Sequence, residues 1–192
     1  MASAKEMKQK VIIEGKCIFL REVVLSDATA TYCKWLNDTE VNQYMECRFE
    51  KATVKKLRDY INDKKNDPDN LLLAIVSKAK NRHIGNIKIG PINHIHKFAK
   101  IGIIIGEKSF WRRGFATEAV KLAVDYAFNT LGLHKLTAGV YANNTASVRV
   151  FEKSGFVKEG IEKKQYYCNG QYLDCVSFGL LKDEYKHQAY GM

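Results

Sequence analysis

The sequence predicts a single α+β domain in which a mixed, mostly antiparallel sheet of seven strands is flanked by about four helices. Three observations predict this fold. The middle of the 192-residue chain contains short apolar runs separated by short polar links, which is typical of an antiparallel meander. The residues that follow switch to the period of a long amphipathic helix. The last quarter then alternates a strand, a helix and two strands around an Asn-Gly turn.

The first third of the chain predicts one strand and two helices. Residues 1–10 are polar and are expected to form a lead-in, and Cys17–Glu22 is the first strand. Ser26 is a good N-cap residue for a helix that runs to about Leu36. The second helix is predicted over Thr53–Asn62, where apolar residues repeat at helical spacing.

The middle third predicts three strands that are buried on both faces, Leu71–Ser77, His83–Ile89 and Lys100–Ile105. Each is a nearly continuous apolar run, and the links between them are short enough for antiparallel pairing. Gly85 and Gly90 are expected to mark a bulge and a turn in this meander.

The last part of the chain predicts two helices and three strands. Apolar positions over Ala116–Phe128 follow the helical period without a break, and Gly132 is expected to cap the end of that helix. The remaining elements are a strand, a helix that stops at Gly155, and two strands joined by the Asn169-Gly170 turn: Leu136–Tyr141, Ala146–Lys153, Phe156–Gln165 and Leu173–Leu181.

Composition limits the classes of function. The chain has 31 Lys+Arg against 21 Asp+Glu, and its formal net charge of +10 favours an anionic partner. Because the lysines are scattered, a phosphate-bearing small molecule is expected, and a nucleic acid or a membrane surface is not. No stretch approaches the roughly 20 apolar residues of a membrane span, and the polar N terminus predicts no secretory signal. Five cysteines without C-x-x-C spacing predict reduced thiols in a cytoplasmic protein and no metal site.

The segment WRRGFATEA, residues 111–119, lies directly between the third apolar strand and the long helix. Gly114 and the small Ala116 let a ligand approach the backbone closely. The helix behind them directs unpaired amides and the positive end of its dipole toward that ligand. Arg112 and Arg113 add positive charge. These are the parts needed to bind a pyrophosphate at a helix N terminus.

This segment resembles the acetyl-CoA pyrophosphate loop of the GNAT N-acetyltransferase superfamily, Q/R-x-x-G-x-G/A, with Trp111 in place of Gln or Arg. Residues 144–156, NTASVRVFEKSGF, resemble the superfamily's N-x-x-S/A-x-x-x-Y-x-K-x-G-F element. Residues 35–41, WLNDTEV, are similar to the ribosomal-protein N-acetyltransferase branch. The resemblance covers about residues 17–183. It implies one GNAT domain with two splayed parallel strands and acetyl-CoA-dependent N-acetyltransferase activity.

In that family the acetyl group moves directly from CoA to an amine between the splayed strands, which would here be residues 101–105 and 136–141. Backbone amides near the end of the first strand would polarise the thioester carbonyl. The loop would hold the pyrophosphate, and Asn144 would bond the pantetheine arm. The residues expected by this resemblance to bind acetyl-CoA are Ile103, Ile104, Ile105, Arg112, Arg113, Gly114, Phe115, Ala116, Thr117, Asn144 and Lys153.

The acid and the base of the reaction are less well defined. Many relatives use a Tyr as the proton donor at the position of Phe151, and Phe cannot donate. Ser147 is therefore the candidate catalytic acid, with a plain surface residue on the first helical turn as the alternative. The ribosomal branch carries its base carboxylate where this chain has residues 164–167, KQYY. Glu159, Glu162 and a water relay all remain open as the base.

Three classes of amine remain as the acceptor: a nucleotide-linked amino sugar, the N terminus of a ribosomal protein, and a polyamine. The lysine-rich residues 48–65 argue against a polycation. Residues 92–97, INHIHK, resemble the nucleotide-sugar acetyltransferases of bacterial nonulosonic (pseudaminic-type) acid synthesis. The amino sugar is thus the expected acceptor, and the peptide amine is the first alternative.

Trp35, Tyr44 and His94 are the candidate substrate-binding residues, although core packing would explain the first two and a loop the third. His94 and His96 could be metal ligands, but a loop between two strands is the preferred interpretation and no metal is expected. Because the usual Tyr acid is missing, a non-catalytic acyl-CoA-binding module is the alternative from another class of function. A monomer or a homodimer is expected.

Overall fold

The computed structural model describes residues 11–185, and its eight strands form one sheet in the order β1-β2-β3-β4-β5-β6-β8-β7. The strands are β1 (Val11–Glu14), β2 (Ile18–Glu22), β3 (Leu71–Ser77), β4 (Arg82–Asn93), β5 (Phe98–Ile105), β6 (Lys135–Tyr141), β7 (Val157–Cys168) and β8 (Gln171–Leu181). All neighbours pair antiparallel except β5 and β6. The mixed, mostly antiparallel sheet is confirmed, with β1 as an eighth strand. The predicted lead-in, residues 1–10, lies outside the described residues.

The helices are α1 (Ala30–Asn37), α2 (Thr39–Asn42), α3 (Val54–Asn66), α4 (Phe115–Asn129) and α5 (Thr145–Lys153). The prediction of Ser26 as an N-cap is wrong, because Ser26 lies in a short 3-10 turn and Thr29 caps α1. The turn forms because Asp27 points into the molecule and binds Arg21 of β2 through two hydrogen bonds of 2.7 Å. None of the helices in the described range combines the length and the apolar character of a transmembrane helix.

Two glycine predictions have different outcomes. Gly85 does mark a bulge, since β4 pairs Gly85 with Ile75 and His83 with the next residue, Val76. Gly90 does not form a turn. It lies inside β4, at an irregularity in the pairing with β5, and the chain turns later at residues 94–97.

Two hydrophobic clusters lie on opposite faces of the sheet. The larger one packs α4 and α5 against alternate strand residues such as Ile101, Leu136 and Phe178. The smaller one packs α1 and α3 against the other face, and in the described part of the chain its strand members come only from β2 and β3. The same face of β5, β6, β8 and β7 therefore lies outside both clusters. We call this surface the open face; it carries Lys100, Tyr141 and other residues that alternate with the core positions.

The only parallel pair within residues 11–185 separates after a short ladder. β5 and β6 pair at Phe98–Lys135, Ala99–Leu136 and Lys100–Thr137, and the pairing does not extend further. Beyond this ladder, residues 101–105 continue to pair with β4, and residues 138–141 continue to pair with β8. The two strands thus border a gap that opens toward their C-terminal ends, as predicted for the splayed strands.

Candidate active site

The loop before α4 presents a helix N terminus to open space. Gly114 is the N-cap residue and has a φ of +84°, a conformation that favours glycine, so it offers no side chain to the first-turn amides. The first bond within the helix runs from Glu118 N to Gly114 O, and the amides of Phe115, Ala116 and Thr117 precede it. A Cβ atom on Gly114 would meet no atom within 4 Å. This geometry fits an anionic group, such as a pyrophosphate, held by backbone amides.

Trp111 fixes this loop to the end of β5. Its indole Nε1 donates a hydrogen bond of 2.7 Å to the carbonyl of Ile105, the last residue of that strand. Arg113 lies over the ring of Phe115, with its guanidinium carbon 5.6 Å from the ring centre, and remains exposed. Arg112 is also exposed and has a φ of +58°. The loop and the gap are therefore neighbours at one end of the sheet.

The end of β5 is supported from behind by Trp35. The Trp35 ring packs so closely on Gly106 that a Cβ atom there would overlap it. Trp35 is 5% exposed and contacts His83 edge-on at 5.2 Å between ring centres. As the alternative interpretation stated, Trp35 is a core residue, and it does not line an acceptor pocket. It holds the backbone next to Ile103, Ile104 and Ile105 in place.

Helix α5 begins directly after β6, so its first turn lies at the same end of the sheet as the gap. Asn144 is the N-cap, and its Oδ1 accepts a hydrogen bond of 3.1 Å from Ser147 N. Ser147 is half-buried in that turn. Phe151, one turn later, is buried between Phe156 and Phe178 with ring centres 5.1 and 6.0 Å away. The side chain at the position of the usual Tyr acid is therefore part of the core.

An aromatic and acidic group closes the open-face side of the gap. Tyr141, the last residue of β6, stacks on Tyr166 at 4.5 Å and contacts Tyr44 at 5.3 Å between ring centres. Its hydroxyl donates a hydrogen bond of 3.1 Å to Oε1 of Glu46. Burial, together with the Glu46 carboxylate, raises the pKa of Tyr141 to about 12, so this hydroxyl is neutral near pH 7. Arg48 lies 3.5 Å from the same carboxylate oxygen.

Of these residues, sequence reasoning found Tyr44 and missed Tyr141, Tyr166 and Glu46. Tyr141 and Glu46 are 95 residues apart, and Glu46 lies in a segment without helical or strand period. The one usable signal was the place of Tyr141, a large polar aromatic residue at the end of a strand that borders the gap.

The two carboxylates left open as the base both bind other side chains. Glu159 forms an ion pair of 2.6 Å with Lys135, and Glu162 is hydrogen-bonded to Ser177 Oγ. Both belong to β7, which β8 separates from β6. Both carboxylates thus already have a partner in this structure.

Two other candidate residues lie at the far end of the sheet. His94 is in the turn between β4 and β5, and its Nε2 lies 3.0 Å from Asp69 Oδ1. Lys153 is exposed at the C-terminal end of α5, where it borders the same small cavity as Leu180 near the end of β8. β5 and β6 run toward the gap, whereas β4, α5 and β8 run away from it. His94, after the end of β4, and Lys153, at the end of α5, therefore do not join the residues that border the gap. In residues 11–185 no three His, Cys, Asp or Glu side chains form a group that could hold a metal ion.

Comparison with known proteins gives consistent matches. The family model for the acetyltransferase (GNAT) domain matches residues 18–157. The uncharacterized N-acetyltransferase p20 of Bacillus licheniformis is 31% identical over 168 residues, which cover 86% of this chain and 93% of that protein. The spermidine N(1)-acetyltransferase of Vibrio cholerae serotype O1 is 33% identical over 115 residues, 60% of this chain and 66% of that protein.

A solved structure has the same fold. The spermidine N-acetyltransferase from Vibrio cholerae in complex with CoA and spermine superposes with a TM-score of 0.78 at 27% identity, and the match covers 87% of this chain and 96% of that chain. The family model, the relative that covers most of the chain and this superposition agree on one family and one fold. The chain therefore belongs to the GNAT acetyltransferase family and is an N-acetyltransferase whose acetyl donor is acetyl-CoA.

Proposed function

We propose that the acceptor is the amino group of a nucleotide-linked amino sugar. The observation that carries this proposal is the state of the carboxylates on the side of the sheet that bears α1, α2 and α3. Asp38 and Glu40 both bind Lys108, at 2.7 and 2.5 Å, and Glu50 binds Lys56 at 2.7 Å. These carboxylates are already paired with cations of the chain itself.

This pairing bears on the choice of amine. A polyamine carries several ammonium groups, and any that met Asp38, Glu40 or Glu50 would have to displace a lysine of the chain. Glu46, beside Tyr141 at the gap, provides for one ammonium group and no more. An acceptor that has one amine and is otherwise negatively charged agrees with the Glu46 carboxylate at the gap and with the net charge of +10.

Acetyl-CoA supplies the acetyl group as a thioester. In our proposal the first-turn amides of α4 at residues 115–117, with Arg112 and Arg113, bind its pyrophosphate, because Gly114 leaves open space before them. Backbone amides at residues 103–105 donate to the thioester carbonyl, which raises the reactivity of the carbonyl carbon. Asn144 caps α5 with its side-chain oxygen, so its part is to fix the helix turn that carries Ser147. Lys153 and His94 lie away from the gap and are given no part in the acetyl transfer step.

The proton transfers require one donor and one acceptor. Ser147 is the proposed donor to the sulfur, since Phe151 has no proton to give and Ser147 lies in the turn next to the gap. Glu46 is the proposed acceptor for the proton of the substrate ammonium. The neutral Tyr141 hydroxyl donates a hydrogen bond to Glu46, and its oxygen can accept one from the substrate ammonium.

Two other acceptors are supported by separate observations. The spermidine N-acetyltransferase of Vibrio cholerae shares the fold of this chain, which supports a polyamine. The similarity of residues 35–41 to the ribosomal-protein branch supports a peptide N terminus. Membership of an enzyme family disfavours a non-catalytic acyl-CoA-binding module.

The test is the release of free thiol from acetyl-CoA with a UDP-linked 4-amino sugar, spermidine or a peptide with a free N terminus as the acceptor. We expect saturable turnover with the UDP-linked amino sugar, and kcat/KM for it above that for the other two. Turnover with spermidine alone would show that the acceptor is a polyamine, and turnover with the peptide alone would assign a protein substrate. Either result would refute the proposal.

A further inference from the structure

We propose that Lys100 on the open face, with Lys88 and Lys64 beside it, binds the diphosphate of the acceptor and that Phe98 stacks on its base. This inference rests on the proposed acceptor class and adds the binding site of the part of the substrate that does not react. Nothing in the loop before α4 contributes to it, since that loop lies at the C-terminal end of β5.

The alternation of β4 and β5 places these side chains on one face. Ile87 and Ile89 on β4, and Ala99 and Ile101 on β5, point into the larger hydrophobic cluster. Lys88 and Lys100, which lie between them, therefore point to the other side of the sheet, which on β5 is the open face. Lys88 is paired with Gly102, two residues from Lys100, which makes the two lysines diagonal neighbours.

Lys100 lies at the point where the gap begins. It pairs with Thr137 in the last rung between β5 and β6. Its Nζ atom lies 3.5 Å from the place of a Cβ atom on Gly139, which is two residues further along β6. The Lys100 ammonium group thus lies over the strand that borders the gap, and an anion bound to it would hold the rest of its molecule beside the reacting amine.

The charges of this group are not balanced. Lys64, near the end of α3, binds Asp67 at 3.0 Å. Lys88 is half-buried, and within residues 11–185 no carboxylate lies within 4.0 Å of its ammonium group. Burial and the charges of Lys64 and Lys100 lower the pKa of Lys88, and the more distant Asp67 opposes them only in part. These three ammonium groups have one carboxylate in ion-pair contact, so they have positive charge available for a bound anion.

Phe98 extends this surface away from the gap. It precedes Lys100 by two residues on the same face of β5, it is 38% exposed, and its ring is stacked at 18° on His96. An exposed ring that is already held parallel to a second ring suits stacking of a base. The order along β5 is therefore gap, lysines and aromatic ring, which is the order of amine, diphosphate and nucleoside in a nucleotide-linked amino sugar.

The experiment is calorimetric titration of UDP, and separately of inorganic pyrophosphate, into the chain saturated with CoA. CoA fills the loop before α4, so any further binding reports on another site. We expect UDP to bind, and Lys88→Gln and Lys100→Gln each to weaken UDP and pyrophosphate by about tenfold or more, as for loss of a charge-assisted hydrogen bond. Phe98→Ala should weaken UDP and leave pyrophosphate unchanged.

Lys55→Gln is the matched control, because Lys55 is exposed at the other end of α3 and its loss changes the net charge equally. The proposal is overturned if UDP does not bind the CoA-saturated chain, or if Lys55→Gln weakens it as much as the other two variants. Lysine-dependent pyrophosphate binding without acetylation of the UDP-linked amino sugar would support the anion site and refute the acceptor class. Acetylation of that sugar with an unchanged KM for the sugar in Lys88→Gln would support the acceptor class and refute the anion site.

Discussion

At the scale of single residues, the position of the usual proton donor explains why this chain needs a different one. Phe151 faces the core and contacts Phe156 and Phe178, so its replacement of Tyr is part of the packing of α5. Ser147, one turn earlier, carries a hydroxyl group in the half-buried part of the first turn of the same helix. Its backbone amide is held by the Asn144 cap, and the hydroxyl is separate from that bond.

Ser147→Ala tests this assignment. The cap is retained because Ala keeps the amide that donates to Asn144, so the helix should keep its stability. We expect kcat to fall by about 10²-fold or more, the size of a general acid contribution, with the Kd for CoA unchanged. Ser147→Thr, which keeps a hydroxyl, should recover part of the rate. An unchanged kcat in Ser147→Ala would remove this residue from the mechanism.

Glu46→Gln tests the proton acceptor through the pH dependence of kcat/KM. The charged or titratable groups around Glu46 include Arg48 and Cys47 on its own segment, Tyr141 on β6 and Tyr166 on β7. We expect a loss of about 10²-fold near pH 7 that shrinks as the pH rises, because the substrate amine then loses its proton to solvent without the carboxylate.

Glu50→Gln is the control for this variant. Glu50 lies four residues further along the same segment. Unlike Glu46, which binds Tyr141, it binds the exposed Lys56. It should keep the wild-type profile. A loss in Glu46→Gln that is equal at every pH would mean that Glu46 only holds Tyr141 and Arg48 in place, and the proton would then need another acceptor.

At the scale of elements, the parts predicted best are those whose local pattern agrees with their environment. The apolar period over 116–128 corresponds to the buried face of α4, and the Asn169-Gly170 turn has the two left-handed residues, with φ of 49° and 84°, that a tight hairpin requires. The prediction of Ser26 as a cap failed for a tertiary reason. Asp27 forms a buried ion pair with Arg21, and that pair shapes the chain before α1.

In the candidate site, too, the features with a local sequence pattern could be predicted and the long-range contacts could not. The loop at 112–117 could be predicted because glycine and arginine before a helix have a local physical meaning. The contact of Tyr141 with Glu46 could not, because it joins the end of β6 to an irregular segment that precedes α3. Lys153 shows how far apart the residues of one short motif can lie. It belongs to the same short motif as Asn144, but α5 carries it to the opposite end of the sheet.

At the scale of the whole molecule, the two hydrophobic clusters differ in how much polar structure they enclose. The smaller cluster encloses the Arg21–Asp27 pair, whose two side chains are each 8% exposed. Asp27 also accepts a hydrogen bond of 2.9 Å from Val24 N, and His83 Nδ1 lies 3.9 Å from its other oxygen. The half of the sheet that supports β5 and the gap therefore depends on one buried charge pair.

Asp27→Asn should destabilise the molecule by about 3 kcal/mol near neutral pH, because the buried Arg21 loses its counter-charge. Burial raises the pKa of Asp27, but the hydrogen bonds and charge of Arg21 outweigh burial and hold it below its ordinary value of 3.8. A lowered pKa in the folded state contributes stability above pH 3.8, and that contribution is lost as the pH falls below it. Urea unfolding should thus show a larger difference between the two proteins at pH 7 than near pH 3, as this linkage requires. Asp63→Asn, at an exposed position on α3, should stay within about 0.5 kcal/mol of wild type at every pH. A difference for Asp27→Asn that is independent of pH would mean that the carboxylate stabilises the fold by its shape and hydrogen bonds, and that its charge contributes nothing.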